Sequence, residues 1–131
     1  DGTTTRISEN HYHMTTTTAQ AANVLSHLEY YLQVVWPELN VNVVSTTEQW
    51  AGAAIAGPKS RDVLQKLFPD INTSNEGLPF MGYVEGNLFG VNARIFRISF
   101  SGELAYEVNV ESDNGNYMWK KIMEIGKEFE I

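Results

Sequence analysis

From Leu104 to Glu111 the side chains alternate without a break. Leu104, Tyr106, Val108 and Val110 fall on one side; Ala105, Glu107, Asn109 and Glu111 fall on the other. A period of two marks an extended strand with one apolar face. Just upstream, Ser99-Phe100-Ser101-Gly102 supplies a glycine turn, so Arg97–Glu107 reads as strand, turn, strand. Glu107 is therefore planted in a sheet with its backbone fixed, close to an aromatic at the turn before it. A carboxylate so held can accept two parallel N–H bonds from the amidine-like edge of a pterin or a purine. The same spacing also describes a solvent-facing glutamate on an ordinary hairpin, and spacing alone leaves both readings open.

The rest of the chain punctuates itself. Residues 2–7 and 11–17 are threonine-rich and flank Ser8-Glu9-Asn10, which predicts a hairpin. Thr17 and Gln20 have capping-box spacing and open a helix over 18–35. Its stripe is Ala21, Val24, Leu25, Leu28, Leu32 and Val35, and Trp36-Pro37 ends it. Strands are expected over Val41–Thr47 and Trp50–Ala56. The second is almost wholly small and apolar, as in a buried central strand.

Pro58 is placed to begin a helix at its first position, with Val63, Leu64, Leu67 and Phe68 facing the core. Residues 70–79 read as a loop, strands as 80–89, 91–100 and 104–111, and a last helix as 113–129. Met118, Ile122, Ile125 and Phe129 form that helix's stripe. The order ββαββαβββα, with strands clustered in hairpins, predicts an α+β fold: a mostly antiparallel sheet with three helices packed on it.

Composition removes several functions. The 131 residues, one domain's worth, carry 9 basic and 16 acidic side chains with no basic run. That argues against a nucleic-acid or anionic-membrane surface. No cysteine is present, which excludes disulfides, thiolate catalysis and Cys-ligated metals, and fits a cytoplasmic chain. No apolar run approaches a membrane span. The start at Asp1-Gly2-Thr3, and the stop at Phe129-Glu130-Ile131 just past a helical pattern, suggest part of one domain, cut at both ends from a longer polypeptide.

His11 and His13 share a strand face and could chelate a metal, but no third ligand stands nearby, so no metal is expected. Gly82, Gly86 and Gly90 repeat every four residues, which is not a dinucleotide fingerprint, and no P-loop occurs.

The run Arg97-Ile98-Ser99-Phe100-Ser101-Gly102-Glu103-Leu104-Ala105-Tyr106-Glu107 resembles the R-x-x-(Y/F)-(S/T)-G-E-x-x-(Y/F)-E signature of the aminomethyltransferase superfamily, the glycine-cleavage T-proteins and their relatives. The resemblance implies a tetrahydrofolate site in which Glu107 holds the pterin ring and Phe100 is the aromatic before the turn. It implies further folate contacts from Phe80 and Met81 in Leu78-Pro79-Phe80-Met81-Gly82-Tyr83, with Tyr83 a weaker carry-over, and from Thr15. Asp1 corresponds to the second acid of a pair that touches the reacting folate nitrogen, and is the residue nominated as catalytic.

Within that superfamily, Met14–Thr18, Thr47–Ala51, Ala56–Leu64 and Ser74–Met81 resemble the alpha subunits of heterotetrameric sarcosine oxidases. Dimethylglycine dehydrogenases share much of the pattern and stay open. Where T-proteins carry Gly-Tyr-Thr-Gly this chain has Ser99-Phe100-Ser101-Gly102, so a phenol hydroxyl is lost. The superfamily's iron–sulfur assembly factors carry a Lys-Gly-Cys motif that a chain without cysteine lacks. The implied chemistry is oxidative demethylation of sarcosine. Flavin and NAD would be bound elsewhere in a hetero-oligomer of other subunits, and this portion would capture the one-carbon unit on folate. A non-catalytic folate-binding or subunit-docking module is the alternative.

Overall fold

The computed structural model describes all of residues 1–131 and divides them into two compact units, Asp1–Thr47 and Glu48–Ile131. The first contains the hairpin of β1 (Gly2–Ser8) and β2 (His11–Thr16), antiparallel with a bulge between Arg6 and Ser8. A helical stretch follows: a 3-10 turn at Thr18–Gln20, α1 at Ala21–Tyr30 and a π-turn at Tyr31–Val35. The helix lies where its period places it, but its start differs from expectation. Thr17 makes no side-chain capping bond, so the capping box does not form.

The stripe of that helix is only half-buried, and Val35 is exposed. No side chain of residues 1–47 is fully buried, consistent with how little core one hairpin and one helix can enclose. Val41–Thr47 is not a strand: residues 41–46 join no sheet and Thr47–Gln49 is a 3-10 turn.

The second unit holds a four-stranded antiparallel sheet in the order β3-β6-β5-β4, built from β3 (Trp50–Ala56), β4 (Tyr83–Leu88), β5 (Val91–Phe96) and β6 (Ala105–Glu111). Two helices complete it, α2 (Ser60–Leu67) and α3 (Gly115–Gly126). Fold class is α+β with three α-helices, as expected, with one strand fewer. Strands β4 and β5 are shorter than their sequence limits. A two-residue turn with positive φ at both Phe89 (48°) and Gly90 (101°) joins them, the twist-compatible hairpin connection. α2 starts two residues after Pro58, with Lys59 as its flanking residue, so the proline lies in the preceding turn rather than at the first helical position.

β3 is an edge strand, not the central one its composition suggested. Its small residues serve close approach. A Cβ on Gly115, at the start of α3, would lie 2.7 Å from the Ala51 methyl. β6 is central, with β3 and β5 on either side. The core joins Val63, Leu64, Leu67 and Phe68 with Met118 and Ile122 over Ile55, Ala93, Ile95, Tyr106, Val108 and Val110. The alternation therefore sends every second residue of the sheet to the face turned away from α2 and α3.

Candidate functional site

That second face is organised in two cross-strand rows. Tyr83, Phe96, Glu107 and Ala54 stand opposite one another across β4, β5, β6 and β3. In the next row Glu85, Arg94, Asn109 and Gly52 do the same. Directly opposed side chains on a sheet are neighbours, so register alone assembles this set from four separate stretches of chain.

Glu107 is half-buried and makes neither an ion pair nor a hydrogen bond; the acids that do pair with cations are Glu85, Glu124, Glu128 and Glu130. Burial alone raises its carboxyl above the ordinary value, with no cation to pull it back. On one side stands the small Ala54, on the other Phe96, whose ring centroid lies 5.1 Å from that of Tyr83. An uncompensated carboxylate at the edge of an aromatic pair suits a planar ligand that offers paired N–H donors.

The second row is tied up among its own members. Arg94 is 17% exposed, its guanidinium carbon lies 4.1 Å from the Trp50 ring centroid, and its Nε lies 3.8 Å from Glu85. Tyr83 donates a 2.5 Å hydrogen bond to Glu85. Burial first, then that bond, pushes the Tyr83 phenol up to about 12, so it stays protonated as a donor. Asn109 has its side-chain nitrogen buried without a partner.

The signature arginine has a different task. Arg97 donates to Asn75 Oδ1 at 2.8 Å and to the Leu78 carbonyl at 3.0 Å. Its backbone pairs with Gly82 and Met81, each at 2.9 Å. It thereby pins the turn that presents Phe80 and Met81, which are 66% and 58% exposed; Met81 adopts a left-handed φ of 63°. Phe100 is 99% exposed at the tip of its turn, and Phe96, rather than Phe100, is the aromatic directly opposite Glu107.

In the other unit, Asp1 directly precedes β1 and is exposed. Gly2 stands opposite Thr16, close enough that a Cβ on it would lie 2.1 Å from the Thr15 carbonyl oxygen. The hairpin thus brings Asp1 and Thr15 to one end. Thr15 is held by a 2.9 Å hydroxyl contact with Thr3.

Three residues have no role that the sequence reveals: Phe96, Asn109 and Asn75. The alternation of 91–96 puts Phe96 on the same face as Arg94, but its partner depends on the length of the turn. Nothing in composition marks Asn109 or Asn75.

With this geometry in view, the comparisons give the class. The family model of the GCVT N-terminal domain matches residues 1–131, and the chain belongs to that family. It is 50% identical over 133 residues to the sarcosine oxidase subunit alpha of Rhizobium meliloti (strain 1021), covering all of this chain and 13% of that one. It is 48% identical over 132 residues to the protein of the same name from Corynebacterium sp. (strain P-1), covering all of this chain and 14% of that one. An aminomethyltransferase of Deinococcus deserti is 28% identical over 120 residues, which are 92% of this chain and 32% of that enzyme. The chain therefore spans only 13–14% of the alpha subunits it resembles. No helix is long and apolar enough to cross a membrane.

Proposed function

We propose that this chain is the tetrahydrofolate-binding portion of a cytoplasmic sarcosine oxidase alpha subunit, working within a hetero-oligomer that binds flavin and NAD elsewhere. Tetrahydrofolate supplies the amine nitrogen that takes up the one-carbon unit released from sarcosine, giving 5,10-methylenetetrahydrofolate. The observation that carries the reading is Glu107: half-buried, unpaired, and opposite an aromatic on the face away from the helices.

Glu107 accepts two N–H bonds from the pterin edge, each worth on the order of 1.5–3 kcal/mol because the acceptor is charged. Tyr83, backed by the buried Phe96, gives the ring an apolar flank, and Phe80, Met81, Phe100 and Thr15 contribute contacts to the folate. Asp1 accepts a proton at the reacting nitrogen and stabilises the cation that develops there.

The test is the fate of the one-carbon unit when the native, full-length protein consumes sarcosine in the presence of tetrahydrofolate. Wild type is expected to deliver it as methylenetetrahydrofolate. Glu107→Ala is expected to consume sarcosine at the same rate while releasing formaldehyde. Unchanged partition between the two products would overturn the reading. It would favour a subunit-docking role, to which the exposure of Phe80, Met81 and Phe100 also points.

A further inference from the structure

Asn109 lies two residues beyond Glu107 on the same face of β6, so the two side chains leave the sheet roughly 7 Å apart, one repeat of the pleat. Its side-chain nitrogen is the buried side-chain polar atom that the chain leaves without a hydrogen-bond partner. Its oxygen lies over Gly52, directly opposite on β3; a Cβ there would stand 2.4 Å from Oδ1. The glycine opens the space that the amide occupies. With the oxygen seated over β3, the N–H side of the amide is turned off that strand.

Orphaned buried donors are uncommon in native folds because each forfeits its hydration for nothing. Where one persists beside an equally unpaired carboxylate, a shared ligand accounts for both.

We propose that Asn109 donates this N–H to the acceptor atom adjoining the paired donors of the ligand that Glu107 grips. The pair then reads a donor–donor–acceptor edge. The inference rests on the assignment of Glu107 as pterin acceptor. The 2-amino-4-oxo edge of a pterin presents that order: amino N–H, ring N–H, carbonyl oxygen. Asn109 is only partly buried as a whole, and its terminal torsion is soft, so the amide can swing to meet the carbonyl. The N–H has already left water and loses no hydration on binding. A ligand with a donor at that position would leave both groups unpaired, which makes Asn109 a specificity residue.

The experiment is equilibrium titration of tetrahydrofolate into the native, full-length protein and four variants, with thermal midpoints measured without folate. Asn109→Ala is expected to weaken binding about tenfold, the value of one net hydrogen bond. Asn109→Asp is expected to weaken it more, because an oxygen then faces the ligand carbonyl. Gly52→Ala, which displaces the amide without removing it, is expected to bind as weakly as Asn109→Ala. The folate-free midpoint of Asn109→Ala should not fall, since an unsatisfied donor has been deleted. Wild-type affinity in both Asn109 variants overturns the proposal. So does an equal loss in both that accompanies a lowered midpoint, the mark of a residue that only holds the sheet. Glu107→Gln separates the two levels: if it too binds normally, the folate reading itself has failed; if it alone binds poorly, only the role of Asn109 has.

Discussion

The side-chain oxygen of Asn75 accepts a 2.8 Å hydrogen bond from Arg97 and a second, also of 2.8 Å, from Arg61. Arg61 in turn donates to the buried Tyr106 hydroxyl at 3.0 Å, so one amide ties the loop before β4 to α2, to β6 and to the residue that follows β5. Both Arg97 bonds, to Asn75 and to the Leu78 carbonyl, leave one terminal nitrogen, Nη1, whose two hydrogens are held in the rigid guanidinium plane, a fixed pair that a lysine ammonium on its flexible stem lacks. Arg97→Lys is therefore expected to cost about 1–2 kcal/mol in urea unfolding, and Arg97→Ala at least as much. A lysine variant as stable as wild type would show that charge alone holds the loop.

Gly86 faces the core, not a nucleotide. A Cβ there would lie 2.5 Å from Ile71 Cδ1 and 3.0 Å from the Cδ1 atoms of both Phe68 and Ile95. Overpacking of this kind costs roughly 1–3 kcal/mol, and Gly86→Ala should lower the urea midpoint accordingly. A variant of unchanged stability would mean that the side chains packed there yield without strain.

The unbroken alternation of β6 fixed its buried face in advance: Tyr106, Val108 and Val110 are fully enclosed. The stripes of α2 and α3 were equally readable, because a 3.6-residue period needs no knowledge of partners. What failed depended on partners. Val41, Val43 and Val44 look like strand residues, yet no strand pairs with them, and all three stay exposed. The alanines of β3 suggested a central strand. They instead admit α3 on one face, while Gly52 between them admits Asn109 on the other. For the site, the motif pointed to Glu107, but register chose Phe96 as its opposite number. An orphaned amide leaves no trace in a sequence.

Burial raises the Glu107 carboxyl, so the folded chain keeps that proton at pH values where the unfolded chain has released it. Stability then falls as pH rises from the unfolded value through the folded one. The penalty is absent below the first and complete above the second. Glu107→Gln removes it. The variant is expected to be the more stable protein at neutral pH, with the two curves converging as pH drops below the ordinary glutamate value. Urea midpoints across that range measure the effect. Identical midpoints at neutral pH would place the carboxylate in full contact with water.

The most direct measurement is the affinity of tetrahydrofolate for the native, full-length protein, compared between wild type and Glu107→Ala at neutral pH. Loss of the paired charged hydrogen bonds is expected to weaken binding by roughly 100- to 10,000-fold. Equal affinities for the two proteins would contradict the account.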